Sequence, residues 1–337
     1  MRKLISLLVV ITMLFAGCKQ AAPTNEATNA NVESTDATKE DVKSNDKFTI
    51  VTTLFPTYSF AKEIAPNADV KLLLPPGADS HAFEPSPDDI LSLQNADLVV
   101  YTTQHMEEWF ERTKDAINLD DNKVVKAAEG IKLMKGHHEH HDHDDHDHDD
   151  EGDVCPACGH VHTYDPHIWT SPVLAKKMAE NIYNKIVELD PSNKDEYSAN
   201  FEKLSSELDE LDKEFREIVK NGKRDEIFFG SRFALSYFVK EYGIDAHSVY
   251  DNCTSHAEPN PKEMADIIEE MKEEHAPVVF YEELIDPKLA NQIADEVGAK
   301  AMLFHSCHNL SKEDFEAGKT YVGIMKANAE ALKEALK

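Results

Sequence analysis

From Phe48 onward, apolar residues recur in two alternating patterns. Short runs rich in Val, Ile, Thr and aromatics predict strands at Phe48–Thr53, Val70–Leu74, Leu98–Tyr101 and Lys123–Val125. Between them, apolar positions three and four apart predict helices near Tyr58–Ile64, from Pro87 to Gln94 and near Met106–Lys114, with Pro87 at a helix start where its missing N–H costs least. A helical stretch follows at Pro172–Leu189, and Pro191 interrupts it. From Asp195 to about Val219 the chain is charged, with apolar residues at Tyr197, Phe201, Leu204, Leu208, Leu211 and Phe215. That spacing predicts one long amphipathic helix. A second series then alternates strands at Glu226–Phe229, His247–Tyr250, Val278–Tyr281 and Lys300–Phe304 with helices ending at Tyr242, near Pro261–Glu273, near Pro287–Val297 and from Ser311 onward. Strands alternating with helices imply parallel sheets, and two such series joined by a helix imply two α/β lobes with a cleft between them. In open α/β folds, ligands gather near the C-terminal ends of the strands.

The first residues follow a different rule. Arg2 and Lys3 precede an apolar stretch from Leu4 to Phe15, then Ala16-Gly17-Cys18. This is the pattern of an export signal, too short for a spanning helix. A cysteine after Ala-Gly resembles a bacterial lipoprotein box, with Cys18 the lipidated first residue of the mature chain; Phe15 stands where Leu is usual. From Lys19 to about Asp46 small and polar residues dominate and aromatics are absent, a composition that cannot bury enough apolar surface to order itself. The expected organisation is a signal peptide at 1–17, a lipidated tether at 18–46, an N-terminal lobe at 47–190, a linking helix at 191–221 and a C-terminal lobe at 222–337.

Within the first lobe, residues 136–163 carry the densest chemistry. His137, His138, His140, His141, His143, His146 and His148 alternate with acids, and Cys155-Pro-Ala-Cys158-Gly-His160-Val-His162 follows. Imidazole, thiolate and carboxylate are the ligands of borderline divalent metals, and zinc accepts all three. The two cysteines and two histidines have the close spacing of a zinc knuckle, with a loop disulfide or redox pair as the rival readings. Nine acids and no Lys or Arg between Gly136 and Asp153 contribute to a net charge of −29. Such a chain is a poor nucleic-acid binder and an attractor of cations.

Beyond composition, a set of motifs stands out: Thr53-Leu-Phe-Pro56, Pro76-Gly-Ala-Asp-Ser-His81-Ala-Phe-Glu84-Pro-Ser-Pro87, Asn95-Ala-Asp-Leu-Val, Asp165-Pro-His167-Ile-Trp169, Glu258-Pro-Asn-Pro261 and Tyr281-Glu282. Together they resemble the zinc/manganese substrate-binding lipoproteins of bacterial ABC importers (cluster A-I), whose lobes are linked by one rigid helix; the likeness runs from about Phe48 to the C-terminus. An acidic His-rich loop just before the Asp-Pro-His motif marks the zinc branch.

The resemblance implies His81 and His167 as metal ligands from the first lobe. The family's third histidine falls at Arg232, which cannot ligate because it stays protonated, and the family's carboxylate ligand aligns near His308. The implied set is therefore His81, His167 and His308, with Cys307, Cys253, His256, Glu282 or water at the fourth position. The bland alternative is that His305 and His308 cap a strand end. Cys253 and Cys307 each follow a predicted strand, and in an exported protein such a pair favours a disulfide; metal ligation or buried thiols are the other readings.

What the resemblance implies for function is an extracytoplasmic, lipid-anchored, monomeric receptor that takes Zn²⁺ into the cleft and passes it to a membrane permease, performs no chemistry, and uses the His-rich loop as an auxiliary zinc collector. Manganese or another divalent metal, or a surface metal buffer or adhesin, are the alternatives. An exported zinc hydrolase lacks support: no His-Glu-x-x-His and no Gly-x-Ser-x-Gly occurs.

Overall fold

The computed structural model describes residues 47–135, 164–250, 259 and 261–337. The expected export signal and tether with Cys18, residues 136–163, Cys253 and His256 lie outside the described residues.

The first lobe runs β1 (Thr49–Thr52), α1 (Phe55–Ile64), β2 (Asp69–Leu72), α2 (Pro87–Asn95), β3 (Leu98–Tyr101), α3 (Glu108–Ile117) and β4 (Val124–Lys126). Its strands form one parallel sheet in the order β2-β1-β3-β4. A small antiparallel pair, β5 (Met134–Lys135) and β6 (Tyr164–Asp165), flanks residues 136–163 in sequence. Then come α4 (Pro172–Leu189) and α5 (Lys194–Asn221). The second lobe runs β7 (Glu226–Phe229), α6 (Ser236–Tyr242), β8 (Asp245–Ser248), α7 (Pro261–Glu273), β9 (Val278–Tyr281), α8 (Lys288–Val297), β10 (Lys300–Leu303), α9 (Lys312–Glu316) and α10 (Tyr321–Ala335). Its parallel sheet has the order β10-β9-β7-β8. Read from β8, this is the strand order of the first lobe again.

The expected two lobes with parallel sheets and a long joining helix are therefore present. The helix α5 has 28 residues, about 42 Å at 1.5 Å per residue. It buries Tyr197, Leu204, Leu208, Leu211 and Phe215 and packs against α1 of the first lobe and against α6 and α10 of the second. Each such side chain contributes about 1.5–3 kcal/mol on full burial, so the stripe fastens both lobes to one rod.

Local chemistry sets the element ends. Ser86 caps α2 in a reciprocal pair with Asp89, and Pro87 occupies the first turn. Ser171 caps α4 ahead of Pro172. The predicted strand to Leu74 stops at Leu72, because Pro75 and Pro76 turn the chain into the loop that carries His81. The closing helix expected from Ser311 is two helices. Gly318, at φ +69°, breaks it, and Thr320 caps the second.

Loops of the two lobes are stitched directly to each other. Asn309 donates from Nδ2 to the carbonyls of Pro75 (2.7 Å) and Ala78 (2.9 Å), and Gly77 N–H donates to Leu310 O (2.7 Å). The Trp169 indole donates to Ser306 O (2.8 Å), and the Tyr321 hydroxyl donates to Trp169 O (2.5 Å).

Candidate metal centre

Three imidazoles meet where these loops converge. His81 comes from the loop after β2, His167 from the turn after β6, and His308 from the loop after β10. One ring nitrogen from each lies within 4.8 Å of the others. The ring centroids are 5.4 Å apart for His81 and His167, 5.5 Å for His81 and His308, and 4.6 Å for His167 and His308. His81 Nε2 and His167 Nε2 are 3.4 Å apart. Two nitrogens each about 2.0–2.1 Å from a tetrahedral zinc would be about 3.3–3.4 Å apart. The spacing thus suits nitrogens sharing one ion.

Each of two rings is held by its other nitrogen. The Asp165 carboxylate accepts from His167 Nδ1 at 2.7 Å and from His167 N–H at 2.9 Å. Burial alone would raise the Asp165 carboxyl, but the His167 ring and the hydrogen bonds outweigh it and hold it below the ordinary range. An ionised Asp165 can only accept, so Nδ1 carries a proton toward it and Nε2 is the ring nitrogen turned toward His81. A longer relay serves His308. Ser306 Oγ–H donates to Glu283 Oε1 (2.7 Å), and the same Oγ lies 2.5 Å from His308 Nδ1. With its hydrogen committed to Glu283, Ser306 accepts from Nδ1–H. Glu283 also accepts from the backbone N–H groups of Ser306 (2.7 Å) and His308 (3.2 Å). His308 Nε2 is left buried with no hydrogen-bond partner. Burial, reinforced by His167, His81, Arg232 and His305, pushes the His308 imidazole well below its ordinary range. The ring is neutral and presents a bare lone pair, the form a metal requires.

His305 behaves differently. Its Nδ1 accepts Cys307 N–H (3.0 Å), its own N–H donates to Asn328 Oδ1 (2.8 Å), and its carbonyl accepts from Asn328 Nδ2 (2.8 Å). It holds the shape of its own loop, whereas His308 converges with His81 and His167.

The other residues proposed from the sequence separate in the same way. Arg232 lines a cavity of about 100 Å³ together with His81, Glu282 and His308. Its guanidinium is 3.7 Å from Glu282 Oε2 and 3.8 Å from Asp79 Oδ2. Glu282 is buried, and its Oε1 has no hydrogen-bond partner. Burial raises its carboxyl, Glu283 and Asp79 raise it further, and Arg232 opposes them. The group of converging ligand atoms among the described residues does not extend to Glu282 or Cys307. Cys307 is a free, fully buried thiol whose Sγ faces His305 O at 3.9 Å; Cys253, its expected disulfide partner, lies outside the described residues. Burial, with Glu283 nearby, pushes the thiol well above its ordinary range, which disfavours the thiolate a metal binds.

The supports of these rings are less visible in the sequence than the rings themselves. Asp165 had a local signal, its spacing two residues before His167. Ser306 and Glu283 had none, because their relay joins loops from different strands.

Two facing α/β lobes with imidazoles from both converging between them define a two-lobed receptor for a small ligand, here one that nitrogen donors can hold. The chain belongs to the family described as zinc-uptake complex component A, periplasmic (ZnuA), whose sequence profile matches residues 50–335. It is 38% identical over 292 residues to the high-affinity zinc uptake system protein ZnuA of Bacillus subtilis strain 168, covering 86% of this chain and 88% of that one. The crystal structure of the metal-dependent lipoprotein YcdH from Bacillus subtilis superposes with a TM-score of 0.71 at 34% identity, over 86% of this chain and 99% of that one. The Zn(II)-bound ZnuA-like domain of Streptococcus pneumoniae AdcA superposes with a TM-score of 0.69 at 28% identity, over 86% and 99%.

Proposed function

We propose that this chain captures Zn²⁺ outside the cytoplasm through His81, His167 and His308 and hands it to the membrane permease of an ABC importer. The observation that carries the reading is the convergence of three ring nitrogens within 4.8 Å, with Asp165 and the Ser306–Glu283 relay fixing two of them in the ligating tautomer. Imidazoles from three loops favour zinc over the harder manganese. Arg232 takes no ligand role. Glu282 borders the cavity beside the fourth position, while Cys253 and His256 lie outside the described residues. The family is one of binding components, and the protein performs no chemistry of its own.

The family membership and the Leu4–Cys18 pattern support a lipid anchor at Cys18 and a monomeric receptor on the outer face of the membrane. Residues 136–163 act as an auxiliary collector: ordering so many side chains around an ion costs conformational entropy, so the His/Asp part binds more weakly than the trio. Competition with a chromophoric chelator tests the assignment. His81→Ala and His167→Ala should each remove the tight zinc equivalent, and deletion of residues 136–153 should remove only weak ones. A tight equivalent that survives both histidine substitutions in the loop-deleted protein would refute the trio.

A further inference from the structure

A second convergence of ligating side chains lies in the C-terminal lobe. Glu226 is the first residue of β7, His247 lies on β8 and Glu270 on α7. One ligand atom from each lies within 4.8 Å of the others. The register explains how they meet. Phe228 pairs with His247 across the parallel strands, and Glu226, two residues before Phe228, shares its sheet face. That face is covered by α7, whose Ile267 and Met271 pack with Phe228 in one apolar cluster. The neighbouring strand residues Ile227 and Phe229 instead join the core that contains α5 and α6. The cluster is thus on the outer face of the sheet, whereas the trio stands on loops beyond the strand ends.

The ring of His247 is fixed by stacking on Phe228, with centroids 5.2 Å apart and planes 21° from parallel. Its Nε2 is 3.6 Å from Glu226 Oε2, and its Nδ1 is 3.3 Å from Glu270 Oε2. A protonated imidazole bridging two carboxylates would draw them into charge-assisted hydrogen bonds of about 2.7–2.9 Å. Here His247 Nε2 and Glu226 Oε2 are both shielded from solvent, and neither has a hydrogen-bond partner. A separation of 3.6 Å between two unpartnered ligand atoms is too long for a hydrogen bond. It lies about 0.2–0.3 Å beyond the spacing of a nitrogen and an oxygen sharing one tetrahedral ion at about 2.0–2.1 Å, so a small closure would seat both on one cation. Asp225 and Glu274 add to the negative field at Glu226, which favours a divalent ion. A nitrogen donor beside two carboxylates favours zinc and its transition-metal neighbours over calcium or magnesium.

We infer that Glu226, His247 and Glu270 form a second divalent-cation site that clamps helix α7 to the edge strand β8. Its ion is a brace rather than cargo, because the ligands come from a strand pair and a packed helix and lie away from the loops at the cleft.

Amide hydrogen exchange read locally over 261–273 tests this independently of the cleft. In the full chain carrying His81→Ala and His167→Ala, adding zinc as the probe should slow exchange in α7, by about a hundredfold for site-breaking openings at zinc a hundred times the dissociation constant. Adding His247→Gln, or Glu226→Gln with Glu270→Gln, should abolish that protection while leaving metal-free exchange in α5 unchanged. Equal α7 exchange with and without zinc, or protection that survives both sets of substitutions, would overturn the site. The cleft assignment fails by different outcomes, since its ligands are already removed here.

Discussion

Asp165→Asn tests whether the carboxylate behind His167 sets the ligand or merely fills space. The carboxylate is nearly buried, with 12% of its side chain exposed, and it makes two contacts to His167, at 2.7 Å to Nδ1 and 2.9 Å to the backbone N–H. Asparagine has nearly the same shape, and its carbonyl can keep the backbone contact. What it loses is the negative charge that holds a proton on Nδ1 and orients the ring toward the ion. Removing such a partner behind a metal-bound histidine typically weakens binding about 10- to 100-fold, or about 1.4–2.7 kcal/mol. Competition with a chromophoric chelator at neutral pH should therefore show tight-site affinity falling within that range, while His167→Ala removes the site. Denaturant melts of the metal-free proteins control for folding. Affinity within twofold of the parent would refute the claim that Asp165 tunes the ligand.

Arg232→Ala should leave one tight zinc equivalent in place, whereas His308→Ala should weaken it as much as His167→Ala does; isothermal titration distinguishes the two. Gly230→Ala should destabilise the second lobe by about 1–3 kcal/mol, because a Cβ there would come within 2.7 Å of Ala290 Cα; a denaturant melt reads the loss. For His308, whose folded value lies well below its ordinary one, the unfolded chain takes up a proton first as pH falls. The stability it contributes is whole above about pH 6.5 and is lost progressively below it. Metal-free melting temperature should fall across that window, and less steeply in His308→Gln.

The alternation of strands and helices, and the stripe from Tyr197 to Phe215, carried the architecture in the sequence, because period and apolar burial are local properties. His81 and His167 were legible for a similar reason: each is embedded in a contiguous motif. His308 was legible only through its place after the last strand. The relay from His308 through Ser306 to Glu283 was not legible, since it depends on how the turn after β9 meets the loop after β10. The cluster of Glu226, His247 and Glu270 was hidden more deeply. Its members are spread over 45 residues and are united by strand register and by the face α7 covers. The two-residue pair β5–β6 was also missed, as it is too short to show a period. The break at Gly318 was missed because the residues on either side both read as helix.

The stitches between Asn309 and the carbonyls of Pro75 and Ala78, and between Trp169 and Ser306, have a kinetic meaning. A receptor that opens like a book exchanges its cargo at the rate of a large swing, and its outline reports whether it is full. Here the pages are bound at the spine by α5 and sewn again along the margin, so exchange is governed by how often a few loop residues part. The silhouette then changes little between full and empty, and a membrane partner that must tell the two apart has to read the margin itself, where the loops bearing His81 and His308 touch.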